Sequence, residues 1–215
     1  MHASIIIPCY NAERFVAEAI QSALSQTHHV AEIIVVDDGS TDGSLNVIRS
    51  FSGVTVLSQA NAGVSAARNA GLAQVTGDYV VLLDADDRLK PDAVASHLAV
   101  FEQNPGAPMV YGSVHLIDEE GRGIGQRLDP PSRFGWREVL FGRTPSPSQA
   151  MFHRESLHSI GNFDDSVRIG EDFPIYLRLA MRGELVGHTA FVADYRRHPG
   201  QLTKRPAALL ASMMR

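Results

Sequence analysis

An α/β fold with a mainly parallel central sheet flanked by helices is what this sequence predicts, and three observations carry it. Short apolar runs rich in β-branched residues, ASIIIP, EIIVV and YVVLL, recur through the first half. Each stops at an abrupt polar break and is followed by a stretch with apolar residues at helical spacing. The runs are apolar on both faces, as strands are when helices cover both sides of a parallel sheet.

Taken in order, Ala3–Pro8 reads as a buried strand ended by proline. Phe15, Ala19, Ile20 and Ala23 recur at helical spacing, so Asn11–Gln26 reads as a helix with Asn11 as candidate N-cap. Glu32–Val36 is a second strand ending at Asp37-Asp38-Gly39-Ser40, and Ser40 or Thr41 can cap a helix to about Phe51. Val54–Leu57 gives a third strand and alanine-rich Val64–Ala73 a helix. Tyr79–Leu83 is a fourth strand ending in Asp84-Ala85-Asp86-Asp87, and Pro91–Gln103 is a proline-started helix. The second half is less regular. Met109–Ile117 reads as one strand or two, Asp118–Pro131 as a loop or hairpin, and Phe134–Phe141 as a short helix. Pro145–Pro147 is a loop, Ala150–His153 a strand, Asp172–Arg182 a helix with Pro174 in its first turn, and Leu185–Tyr195 one or two strands. Pro206–Met214 has the composition of an amphipathic helix.

The 215 residues suffice for one domain of ordinary composition, 44% hydrophobic and 20% charged, which excludes disorder over most of the chain. Lys and Arg number 19 against 24 Asp and Glu, a net charge of −5. That balance argues against a nucleic-acid partner, so an anionic ligand has to be held locally by a metal, backbone amides or a few placed cations. The single cysteine, Cys9, rules out an internal disulfide and fits a reducing compartment. MHASIII carries no leader pattern and no apolar run approaches a membrane span. A cytoplasmic location follows as the expectation, with peripheral association to the inner face of the membrane and homo-oligomerisation left open.

Two acidic clusters, Asp37-Asp38 and Asp84/Asp86/Asp87, end two of the strands. In an open α/β sheet ligands bind beyond the carboxyl ends of the strands, so the clusters are expected at one edge. Crowded carboxylates repel unless a cation or hydrogen-bond donors share the site. Asp84 and Asp86 fall on one side of an extended segment and suit a hard divalent cation such as Mn²⁺ or Mg²⁺. Either cluster alone reads equally well as turn and cap chemistry; the pair favours function.

ASIIIPCYN, EIIVVDDGSTDGS, NAGVSAARNAGL and GDYVVLLDADD, in this order and spacing, resemble the nucleotide-sugar-binding half of family 2 glycosyltransferases. GNFDDSVRIGEDFPIYLRLAMRG and YRRHPGQLT resemble that family's acceptor-side motifs. The resemblance implies a GT-A fold in a single domain, with 1–104 as the nucleotide-sugar half and 105–215 as the acceptor and catalytic half. It implies a nucleotide-diphosphate sugar donor, UDP-type favoured, divalent-metal dependence and an inverting transfer. Pro8 and Tyr10 correspond to positions at the nucleotide base, and Asp38 to the acid that hydrogen-bonds it. Arg68 lies where the family often contacts the nucleotide. Asp84 corresponds to the first acid of the Asp-any-Asp motif, towards ribose or metal, and Asp86 to the metal-coordinating last one. Asp172, beside Glu171, matches the catalytic base, and His198 a position that in some members helps bind metal or diphosphate. Arg196 and Arg197 read as solvated arginines and Cys9 as a small buried residue.

The chain lacks the Gln-any-any-Arg-Trp motif of processive members; its sole tryptophan, Trp136, stands in FGWRE. A non-processive transferase is therefore expected, acting on a glycan, lipid-linked or protein acceptor. The chain stops soon after the last motif, which fits either a truncated form or a small form completed by a partner. The rival readings are a non-catalytic nucleotide-sugar or glycan-binding module and, less well supported, a nucleotidyltransferase, whose glycine-rich loop PCYNAER lacks.

Overall fold

The computed structural model describes residues 1–128, 133–142, 144–167 and 170–201. Strand β1 (Ala3–Cys9) lies between β2 (Glu32–Asp37) and β4 (Tyr79–Leu82) and runs parallel to both, with β3 (Thr55–Ser58) parallel outside β2. All seven residues of β1 are buried, as a strand covered on both faces must be. The side chains alternate. Ile5, Ile7 and Cys9 pack with Val16, Ala19 and Ile20 of α1 (Val16–Leu24) and Ile48 of α2 (Ser44–Arg49). Ile6 points the other way, with Ala67 and Leu72 of α3 (Val64–Leu72).

The second half extends the same sheet. After the two-residue β5 (Arg88–Leu89), helix α4 (Ala93–Gln103) leads into β6 (Met109–Ile117). A hairpin returns through β7 (Gly123–Leu128), followed by β8 (Arg133–Phe134) and α5 (Trp136–Leu140). Strand β9 (Ala150–His153) inserts antiparallel between β4 and β6 and joins the two halves. Helices α6 (Arg154–Ser159) and α7 (Asp172–Ala180) precede β10 (Leu185–Arg196), which lies parallel to β6. The order along the sheet is β3-β2-β1-β4-β9-β6-β10-β5, with β7 on β6 and β8 on β10. Among the described residues no helix is long and apolar enough to cross a membrane.

Several boundaries differ from the sequence expectation for identifiable reasons. Helix α1 starts at Val16, not Asn11. Asn11 takes a left-handed conformation (φ 49°), and its side-chain oxygen accepts from the backbone N–H of Thr41 at 2.8 Å. Ser40 is likewise drawn off, accepting from Asn11 N–H, so α2 begins later, at Ser44. Met109–Ile117 and Leu185–Arg196 are each one strand, the latter bulged against β6. A 3₁₀ turn, Pro147–Gln149, starts at the last residue of the loop expected at Pro145–Pro147, and α6 gave no clear sequence pattern. The helix expected at Pro206–Met214 lies outside the described residues.

Helix α3 seats against β1 through Gly71, where a Cβ would fall 2.6 Å from Cγ2 of Ile6. Glycine in a helix interior costs about 1 kcal/mol relative to alanine, so its presence here reflects close packing. Gly71→Ala is expected to lower stability by roughly 1–3 kcal/mol through overpacking, despite its better helix propensity. A urea midpoint equal to or above that of the parent chain would contradict the close approach.

Candidate functional site

Parallel strands in register end together. Cys9 of β1 pairs with Asp37 of β2, and Ile6 with Leu82 of β4, so the segments after β1, β2 and β4 emerge at one edge. Pro8 is buried within β1, while Tyr10, just beyond the strand, is half exposed at 51%. Asp38 N–H donates to the Cys9 carbonyl at 2.8 Å, which ties the two strand ends. The buried Asp38 carboxylate accepts from Gln59 Nε2 at 2.8 Å and from the backbone N–H groups of Ala62 (2.9 Å) and Gly63 (2.8 Å). A carboxylate has about four lone-pair sites, so these three donors leave it little capacity beyond organising the 59–63 loop. The approach requires Gly39 (φ 73°), where a Cβ would come within 2.7 Å of Asn61 N.

The Asp84–Asp87 segment is a turn and not the extended run expected from sequence; Asp87 N–H donates to the Asp84 carbonyl at 3.0 Å. Asp84 and Asp86 nonetheless point to the open side, with Ala85 and Asp87 buried. Asp86 Oδ2 lies 2.9 Å from His198 Nε2, and the His198 ring packs 4.9 Å from that of Phe15. Asp84 Oδ1 accepts from Arg68 Nη2 at 2.9 Å.

Arg68, on α3, is 2% exposed, and its second terminal nitrogen, Nη1, donates to Glu171 Oε1 at 2.5 Å. The guanidinium also lies 5.3 Å from the centre of the Phe163 ring. One buried cation therefore joins the turn after β4 to the residue just before α7. Asp172, the first residue of α7, stands next to Glu171 with its carboxylate half-buried. Burial opposes charge on Arg68, but Asp84 and Glu171 outweigh it and the guanidinium is held ionised. Burial pushes Asp84 up to about 6, against the pull of Arg68 and with further lift from Asp86 and Glu171. Burial, then the neighbouring Glu171 charge, push Asp172 up to about 6 as well. Asp87 is raised well above the usual carboxylate range by burial and by Asp86 and Asp84. Cys9 is pushed by burial to about 11, which leaves it a packed thiol without nucleophilic character.

Residues 4–161 match the family model described as glycosyl transferase family 2. The chain belongs to glycosyltransferase family 2. It is 32% identical over 184 residues to the chondroitin synthase of Escherichia coli, covering 84% of this chain and 26% of that protein. It is 27% identical over 199 residues to TuaG of Bacillus subtilis, named for teichuronic acid biosynthesis, covering 90% of this chain and 78% of TuaG. The chain thus spans about a quarter of the length of the chondroitin synthase it matches. Among solved structures, S. aureus TarS 1-349 in complex with UDP-GlcNAc superposes with a TM-score of 0.77 at 20% identity, over 95% of this chain and 61% of that one. The same protein in complex with UDP gives 0.75. The architecture is that of the GT-A fold.

This family 2 chain brings Asp84, Asp86, Asp172 and His198 to one region, linked through Arg68 and Glu171, with Asp38 and Tyr10 at the neighbouring strand ends. Among the described residues no three of His, Cys, Asp and Glu converge on a point that could hold a metal ion. Two donors do converge, Asp86 Oδ2 and His198 Nε2. Adjacent ligands about 2.1 Å from an octahedral ion lie about 3 Å apart, which their 2.9 Å separation fits. The remaining positions would fall to water and other oxygen ligands, as is usual for Mg²⁺ and similar ions.

Two residues that sequence reasoning set aside proved structural to the site. Glu171, named from sequence only as the neighbour of Asp172, is the second partner of Arg68. Arg196, read as solvated, is fully buried. Its Nε donates to the Asp86 carbonyl at 2.7 Å, its Nη1 to the Glu119 carbonyl at 2.9 Å, and its Nη2 to Glu18 Oε2 at 2.7 Å. Its own N–H donates to Asp87 Oδ1 at 2.8 Å, so one residue grips the last two residues of the acidic turn. The only sequence signal was its place two residues before His198. Arg197 is exposed, as expected.

Removing Arg68 leaves Asp84 and Glu171 facing one another without their cation. Arg68→Ala is expected to cost about 3–5 kcal/mol, the range for a broken buried ion pair. Urea unfolding measures it; a loss below about 1 kcal/mol would contradict the bridging role.

Proposed function

We propose that this domain transfers a sugar from a nucleoside diphosphate donor to an acceptor hydroxyl with inversion at the anomeric carbon, one sugar per encounter. The observation that carries the reading is the arrangement of the hydrogen-bonded pair Asp86 and His198, and a half-buried carboxylate, Asp172, on two sides of the Arg68 bridge. A UDP-type donor is favoured because the TarS complexes contain UDP and UDP-GlcNAc. A role in polysaccharide or cell-envelope synthesis agrees with the names of the chondroitin synthase and TuaG relatives.

Tyr10 and the strand end after Pro8 form the base-binding side in this reading, with Asp38 holding the 59–63 loop beside it, and Asp84 faces the ribose. A divalent ion, Mn²⁺ or Mg²⁺, held by Asp86 and His198, would supply charge stabilisation for the departing diphosphate. Arg68 acts as a positioning residue: both terminal nitrogens are committed to Asp84 and Glu171, so it fixes the donor-side turn against the N-terminus of α7. Asp172 accepts the proton of the attacking hydroxyl at its carboxylate. A base with a pKa of about 6 is ionised at neutral pH yet close enough to it to share a proton in the transition state. Arg196 holds the Asp86 backbone so that the side chain keeps its aim.

Asp172→Asn is expected to lower sugar transfer by at least about 10³-fold with little effect on UDP affinity. Near-full transfer by the variant would reject Asp172 as the base. The same substitution tests the raised pKa through stability. A carboxyl raised to about 6 in the fold keeps its proton more tightly than in the unfolded chain, where about 3.9 is usual. Its stabilising contribution is therefore complete below pH ~4 and is lost as pH climbs to about 6. Asp172→Asn, always neutral, should be about 1–2 kcal/mol more stable than the parent at pH 7–8, after allowance for partial solvent exposure, and equal to it near pH 4. Equal unfolding midpoints at both pH values would contradict the shift. Asp86→Ala should abolish the Mn²⁺ enhancement of UDP binding in calorimetry; an unchanged enhancement would place the ion elsewhere.

A further inference from the structure

Residues 146–149, Ser-Pro-Ser-Gln, lead into β9, the strand that joins the two halves of the sheet, and they carry more polar structure than a connection requires. Pro147, Ser148 and Gln149 are buried, so their polar groups need partners within the protein. The turn closes on itself: Ser146 N–H donates to Gln149 Oε1 at 2.8 Å, and Gln149 N–H donates to the Ser146 carbonyl at 3.0 Å. Gln149 Nε2 donates to the Gly112 carbonyl of β6 at 2.9 Å and fixes the turn to the second half of the sheet. A turn tied down at this many points has little freedom left, and the hydroxyl it directs at the acidic turn is that of Ser148.

Ser148 is 0% exposed, and its Oγ accepts from Asp84 N–H at 3.1 Å. That amide lies just past the parallel ladder. Leu83 N–H still donates to the Ile6 carbonyl of β1 at 2.9 Å, and Asp84 comes next. Left without an acceptor, the Asp84 amide would draw the turn out of place to find one. A hydroxyl accepts without carrying charge, so it takes this amide without adding a further negative charge to Asp84, Asp86 and Asp87. The same hydroxyl helps hold the Asp87 carboxyl down against burial and the charges of Asp86 and Asp84. It thus acts on both ends of the turn.

The acidic turn is therefore held from three remote parts of the chain. Arg68 of α3 holds the Asp84 side chain, Arg196 at the end of β10 holds the Asp86 carbonyl and the Asp87 carboxyl, and Ser148 holds the Asp84 backbone. Arg68 fixes the tip of the Asp84 side chain but leaves the Cα free to turn about it. We propose that Ser148 is a positioning residue of the donor site: by holding Asp84 N–H it sets the direction in which the Asp84 and Asp86 carboxylates face the nucleoside diphosphate. The role rests on the transferase reading above, to which it adds a residue that acts without touching substrate.

Two variants test it. Ser148→Ala removes the acceptor, and Ser148→Cys fills the same space with a poor acceptor, which keeps the test sound if the alanine variant is unstable. Each should weaken UDP binding in the presence of Mn²⁺ by at least about fivefold in calorimetry, the size of one lost hydrogen bond. The donor KM should rise by a similar factor, while the pH dependence of kcat, which reports Asp172, stays in place. By NMR the Asp84 amide should exchange with solvent at least about tenfold faster in both variants than in the parent. Parent-like UDP affinity in Ser148→Cys would mean that Ser148 only fills space, and would overturn the role. Unchanged Asp84 exchange or a displaced pH profile would overturn it as well. Faster Asp84 exchange with unchanged UDP affinity would reject the positioning role alone, whereas a parent chain that binds no UDP would reject the transferase reading and this role with it.

Discussion

A single buried guanidinium is the constraint on which the geometry of the site depends. Arg68 is removed from water and survives as a cation because Asp84 and Glu171 contact it from opposite sides. Those acids lie far apart in sequence, one after β4 and one at the start of α7. Once the arginine is buried, neither element can drift without exposing an uncompensated charge at a cost of several kcal/mol. The bridge thus sets the distance between the acidic turn and Asp172. A second buried arginine, Arg196, acts in the same way at the back of the turn and ties it to the end of β10.

The chemistry follows from unequal environments for similar groups. Asp84 and Asp86 face the open side of one turn, yet Asp84 is held by Arg68 and Asp86 by His198. Asp172 makes no ion pair among the described residues and is lifted by burial and by Glu171, against a weaker pull from Arg68. Carboxylates of one type are thereby placed in unequal environments set by neighbours and solvent access, which is what our proposal uses to divide them between ion binding, orientation and proton transfer.

Much of this was legible in the sequence. The four parallel strands of the first half declare themselves through both-face apolar runs, and their polar ends mark the site edge. Family motifs singled out Asp38, Asp86, Asp172 and His198 as candidates, and the structure sets Asp86 beside His198. Local helix-start signals misled where longer-range bonds competed: Asn11 and Ser40 have the chemistry of caps but bond each other's loops across β1 and β2. The burial of Arg68 and Arg196 was not legible, because an arginine on a helix or after a strand looks solvated until its distant acids arrive. The insertion of β9 antiparallel between β4 and β6 was equally hidden, since pairing between distant strands leaves no local pattern.

The most direct measurement is anomalous diffraction from crystals of this chain grown with UDP and Mn²⁺. The account predicts one manganese peak coordinated by Asp86 and His198, with Arg68 still bridging Asp84 and Glu171. A peak away from that pair, or Arg68 swung out of its bridge to contact the nucleotide, would contradict it.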